Sequence, residues 1–175
     1  LSSRAPGVLL DRVNPALAQP PTIAWHYGQD HRRLDQLFHR FQELAKGNSR
    51  ARSQCFCQFK AGLEQHIAWE DDILFAALDA KTGHSPDGWT AILRWEHRHL
   101  RRYLARIEQH LAPHNADAEL EQVAFLALLA AHNRKEERIV YPMIDQIVSD
   151  EERSRIFGQM QPVHSCARAV GAFDQ

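Results

Sequence analysis

His66-Ile67-Ala68-Trp69-Glu70-Asp71-Asp72-Ile73-Leu74-Phe75 and His132-Asn133-Arg134-Lys135-Glu136-Glu137-Arg138-Ile139-Val140-Tyr141 are one pattern written twice. Each copy opens His-x-x-x-Glu, continues with two charged residues and closes on three apolar or aromatic ones. The copies lie 66 residues apart. A second pair sits at the same offset: Asp30-His31-Arg32-Arg33-Leu34 and Glu96-His97-Arg98-His99-Leu100. Within each copy 35 residues separate the first His from the second. The chain is thus built as two equivalent units, which can pack about an approximate two-fold axis and bring matched positions together.

The spacing is helical. Four residues turn an α-helix by about 400°, so the His and the Glu of each motif share one face, one turn apart. Apolar residues extend those faces. Leu34, Leu37, Phe38, Phe41 and Leu44 mark a first helix from Thr22, its cap, to about Lys46, stopped by Gly47-Asn48-Ser49. Phe56, Phe59, Leu63, Ile67, Ile73, Leu74 and Leu78 mark a second, from about Arg50 to Ala80. Asp87 is the expected cap of a third, reaching about Ala112 with Ile92, Leu93, Leu100, Leu104, Ile107 and Leu111 inward. Asp117 is the expected cap of a fourth, running to about Val148, with Pro142 expected to kink it or loosen its last turns. Ser149-Asp150-Glu151-Glu152 reads as a capping box opening a short fifth helix that ends near Gly158. Four long amphipathic helices with short connections predict an all-α, up-down-up-down four-helix bundle. Residues 1–21, rich in Pro, read as an N-terminal arm, 22–160 as the bundle domain and 161–175 as a C-terminal tail.

Composition agrees and sets limits. Ala and Leu far outnumber Val, Ile and Thr, which favours helix over sheet. At 175 residues the chain can bury roughly 70% of its unfolded surface in one core. Its 21 Lys and Arg against 22 Asp and Glu leave no basic footprint, so neither nucleic acid nor an anionic membrane is an expected partner. No apolar run approaches the ~20 residues of a membrane span, and Gly7-Val8-Leu9-Leu10 is too short for a signal-peptide core. Three cysteines are too few for a disulfide framework, which points to a reducing, cytoplasmic setting. Cys55 and Cys57, two apart on a helix, point away from each other and cannot easily grip one metal.

The chain carries 11 histidines, and the repeat sorts them. His31 pairs with His97, and His66 with His132. His26, His39, His99 and His110 have no His at the matching offset, and His84, His114 and His164 fall in expected loops or the tail. All four matched histidines lie on the apolar faces, with Glu70 and Glu136 beside them. A buried carboxylate needs a positive partner or a shifted pKa, and a divalent cation meets that need. His31, His66, Glu70, His97, His132 and Glu136 therefore form a candidate inner shell for two metal ions, suited to iron, zinc or manganese rather than copper(I). His26 lies just over a turn from His31 and stays open as its substitute. Arg98, Arg101 and Arg102 read as a solvated face, and the residues alone single out none of Tyr27, Tyr103 or Tyr141 as a neighbour of the site.

Asp30-His31, His66 to Phe75, Glu96-His97 and His132 to Pro142 together resemble the hemerythrin-like, or HHE cation-binding, family over roughly residues 22–148. The resemblance implies a four-helix bundle around a non-haem di-iron centre. His31, His66, His97 and His132 would be terminal ligands, and Glu70 and Glu136 bridging carboxylates. It also implies a role in binding or sensing oxygen, nitric oxide, iron or redox state, with O2 or NO as the small partner. Iron storage, peroxide or nitric oxide reduction, and a purely structural metal are the rival readings. The protein is expected to be a monomer or homodimer and not a metabolic enzyme. Oxygen-carrying hemerythrin has a further His where this chain has Arg101, and an Asp where this chain has Glu137. The site here is poorer in His and richer in carboxylate, which argues against simple oxygen carriage and leaves either open coordination positions or one weaker metal site.

Overall fold

A computed structural model describes residues 21–44, 49–111 and 116–160, and these are mainly helical with no strand among them. Residues 1–20 of the expected arm, the tail, and Gly47 and Asn48 of the expected first stop lie outside the described residues. Helix α1 spans Ile23–Glu43. The second rod is α2, Ser49–Trp69, a π-helical turn Glu70–Leu74, and α3, Phe75–Thr82. The third is α4, Trp89–Gln109. The fourth repeats the second: α5, Ala116–Lys135, a π-turn Glu136–Val140, and α6, Tyr141–Ile147. Helix α7, Asp150–Gln159, follows. Helix α1 packs on α2, α2 on α4, α4 on α5 and α6 on α1, which is the ring order of an up-down-up-down bundle. No helix among the described residues is long and apolar enough to cross a membrane.

Helix ends follow the local chemistry. Thr22 caps α1, its side chain accepting from the Trp25 N–H at 3.1 Å. Asp145 of α6 accepts from the Ile23 and Ala24 N–H groups at 2.8 and 3.0 Å, tying the first rod to the last. Ser149 and Glu152 form the full capping box. The Asp87 cap is not made: Gly88 takes the N-cap of α4 with extended backbone and no side-chain bond. Asp117 falls inside α5 rather than ahead of it. Gly62 lets α1 approach α2, since a Cβ there would lie 2.8 Å from Leu34 Cδ2.

Pro142 does not produce the distortion of the last rod. The π-turn precedes it, and the same turn occurs at Glu70–Leu74, where Ala76 occupies the matching place. The turn belongs to the repeat, and it changes which side chains face inward. In an unbroken α-helix Phe75 would stand about 140° from Glu70. The wider π-turn, closed by the Phe75 N–H on the Glu70 carbonyl, brings the fifth residue back to the inner face. Phe75 and Leu74 are buried, and Ile73, expected inward, is only half-buried; on α4 Ile92, also expected inward, is exposed beside the buried Leu93.

The core is split in two. Leu34, Phe38, Phe41, Phe56, Phe59, Leu63, Leu100, Leu104, Phe125 and Leu129 fill one end. Ile23, Tyr27, Leu74, Phe75, Leu93, Val140, Tyr141 and Ile144 fill the other. Along every rod the change from one cluster to the other falls at the repeated His or His-x-x-x-Glu.

Candidate metal centre

Six polar side chains occupy the layer between the two clusters, and all are buried: His31, His66, Glu70, His97, His132 and Glu136. They are the six singled out by the repeat. His31 Nε2 and His66 Nε2 approach to 3.1 Å, and His97 Nε2 and His132 Nε2 to 3.0 Å. Glu70 Oε2 stands between the pairs, 3.4 Å from His66 Nε2 and 3.3 Å from His97 Nε2. Glu136 does the same, with Oε2 3.4 Å from His31 Nε2 and Oε1 2.9 Å from His132 Nε2. Donor atoms of Glu70, His97, His132 and Glu136 cluster within 4.8 Å of one another, as do those of His31, His66 and Glu136. His26 is in neither group; its ring packs against Tyr27 and Phe157.

Each imidazole is held from behind by a carboxylate on a neighbouring rod. Asp30 of the first rod meets His66 Nδ1 at 2.9 Å, and Asp71 of the second meets His97 Nδ1 at 2.8 Å. Glu96 of the third meets His132 Nδ1 at 3.0 Å, and Glu137 of the fourth returns to His31 Nδ1 at 2.8 Å. The four contacts close a circle, each rod giving a carboxylate and receiving one. Arg33 bonds Asp30, Lys135 bonds Glu96, and Arg94 and Arg101 lie against Asp71. Arg101 thus braces the site, while Arg98 and Arg102 are exposed as expected. Sequence reasoning missed these four carboxylates, although Asp30 with Glu96 and Asp71 with Glu137 share the 66-residue offset.

Electrostatics follow from burial and these pairings. Burial would lower the histidines, but the carboxylates outweigh it: Glu136 and Glu70 hold His31 up at about 9, and Asp71, Glu136 and Glu70 hold His97 up at about 11. His132 is raised as well, through Glu136 and Glu96. Glu136 sits well below the ordinary carboxylate range despite its burial, because His132, His31 and His97 face it. The layer therefore demands positive charge, as protons or as a cation.

The donor set fits a cation. An imidazole that gives its Nδ1–H to a carboxylate turns its Nε2 lone pair inward, the usual arrangement behind metal-binding His. Four such nitrogens converge on two carboxylates, and two buried oxygens, Glu70 Oε2 and Glu136 Oε1, face nothing but imidazole nitrogens. Nitrogen and oxygen donors of this kind suit first-row divalent ions.

The two halves differ at the ring that follows the π-turn. The Tyr141 hydroxyl donates to Glu70 Oε1 at 2.5 Å and lies 3.2 Å from Glu136 Oε2 and 3.3 Å from His31 Nε2. Burial, with Glu136 and Glu70 alongside, holds its pKa well above that of free tyrosine. The matching residue, Phe75, stacks on His97 at 5.7 Å. One imidazole pair has a phenol beside it and the other an apolar ring.

The family model described as the hemerythrin HHE cation binding domain matches residues 22–165. Searches of curated proteins and of solved structures found no match.

Proposed function

The chain belongs to the hemerythrin HHE cation-binding family, and we propose that it holds two iron ions in the central layer and serves to bind or sense a diatomic ligand, O2 or NO, or the redox state. The observation that carries this reading is the pair of buried carboxylate oxygens that face only imidazole nitrogens, set between two inward-facing imidazole pairs. Iron bound there supplies an open coordination position and a reversible change of oxidation state. His31 and His66 would hold one ion and His97 and His132 the other, with Glu70 and Glu136 shared between them. Asp30, Asp71, Glu96 and Glu137 fix the imidazoles with Nε2 inward. Arg101, which stands where oxygen-carrying hemerythrin has a further ligand, is turned to Asp71 instead, at 3.3 Å. The apolar clusters on both sides keep bulk water out. Tyr141 holds its proton at the hydroxyl and directs it to Glu70 Oε1.

That hydroxyl also favours a second reading, reduction of peroxide or nitric oxide, because it places a proton donor among the ligand atoms. Rapid turnover with an added reductant would separate it from slow ligand binding.

The deciding experiment is elemental analysis after anaerobic iron loading, with a visible spectrum before and after air. Two irons per chain and visible bands that change on exposure to air are expected. His132→Ala should lose metal, whereas His84→Ala, at a side chain 63% exposed, should keep it. A colourless zinc protein, less than one loosely held ion, or equal metal in both variants would overturn the assignment.

A further inference from the structure

Helix α5 is apolar on two faces. Phe125 and Leu129 point into the bundle and are buried. On the opposite side Leu120 and Val123 are 70% and 66% exposed, and Ala127, Ala130 and Ala131 are exposed as well. A helix in a single bundle needs one apolar stripe, with a polar face to solvent. Leu120, Val123, Ala127, Ala130 and Arg134 instead follow one another at steps of three, four, three and four, the spacing of a helix–helix seam. The alanines permit close approach of a second backbone.

The charges on this face specify the occupant. Glu119 stands at the N-terminal end of the seam and Arg134 at the C-terminal end, both exposed. Two copies of α5 laid antiparallel, crossing beside Ala127, bring Glu119 next to the partner's Arg134, and the contact occurs twice. Val123 then meets the partner's Ala131, and Leu120 lies under the aliphatic stem of the partner's Arg134. A parallel pairing would set Arg134 on the partner's Arg134. The face is thus self-complementary in one orientation, as a two-fold interface must be.

We propose that the outer face of α5 is a dimerisation seam for a second, antiparallel copy of this chain, with the two-fold axis beside Ala127. One helix per chain covers less than the ~800 Å² per partner of a standard interface, so a weak dimer is expected. The proposal rests on the exposed face alone and not on the metal reading.

Sedimentation equilibrium of the full chain, from about 1 to about 500 μM, tests it. The wild type should pass from monomer to dimer across that range. Val123→Glu, on the exposed face, should raise the Kd at least tenfold while leaving the circular dichroism spectrum and Tm unchanged. Glu119→Arg and Arg134→Glu should each weaken the dimer, and the double variant should restore it. A wild type that stays monomeric, or a dimer indifferent to Val123→Glu, overturns the seam. A double variant no tighter than either single one overturns the antiparallel register.

Discussion

Replacing Tyr141 by Phe removes a single oxygen from the middle of the centre, and the repeat supplies the control, since Phe75 already fills the matching place. The ring of Tyr141 is fully buried and packs 5.1 Å from that of Tyr27, so its apolar contacts should survive. The loss is the hydrogen bond to Glu70 Oε1 and the weaker approach to Glu136. A hydrogen bond to a charged group contributes about 1.5–3 kcal/mol. In a domain of this size each kcal/mol moves Tm by about 2–4 °C, so a loss near 2 kcal/mol corresponds to roughly 4–8 °C. Calorimetry of the metal-free protein should show a fall of that size. In the iron-loaded protein the carboxylates have another positive partner, and the fall should be smaller. A decrease under about 1 °C without metal would refute the reasoning, because it lies below what such a bond contributes. So would a larger decrease with metal than without.

Two further outcomes are expected. Asp71→Asn keeps the shape but removes the charge facing His97, Arg94 and Arg101; metal affinity, measured by competition with a chelator, should drop roughly 10–100-fold, and an unchanged affinity would deny the outer carboxylates any part in binding. At the far end of the bundle, burial would raise the Asp79 carboxyl, but hydrogen bonds from Arg94 and Thr90 outweigh it and hold it below the ordinary 3.8. A lowered carboxylate stabilises the fold above its unfolded pKa, and that contribution is lost as pH falls through the folded value. The Tm gap between wild type and Asp79→Asn should therefore be open at neutral pH and close in acid, and a gap that persists into strong acid would contradict this.

The bundle and the six inner residues were legible because a 66-residue repeat in register with a helical period leaves few other arrangements. The capping box of Ser149 and Glu152 was legible for the same kind of reason: it is purely local. The π-turns were not. His-x-x-x-Glu closes where the turn begins, and one extra residue in that turn shifts only the last stretch of the second and fourth rods. Ile73 was accordingly expected inward and Phe75 went unplaced. Tyr141 depended on the same turn, so nothing in its spacing from Glu136 could select it over Tyr27 or Tyr103. The outer carboxylates reach between rods, which helical periodicity does not report. Gly88 displaced Asp87 at the start of α4 because a cap depends on backbone angles that side-chain chemistry alone does not fix.

The circle of carboxylate–imidazole contacts also governs how the rods can move. Each rod gives one such bond and takes one, to different neighbours. Sliding any rod by a turn, about 5.4 Å, breaks two bonds at once and strands charge on both sides. No rod is a cheap first mover, and slippage by one must be followed by all four. Opening the middle of the bundle by sliding therefore engages neighbouring rods together, whereas the rod ends, beyond the circle, depend on separate contacts such as that of Asp145 with the start of α1.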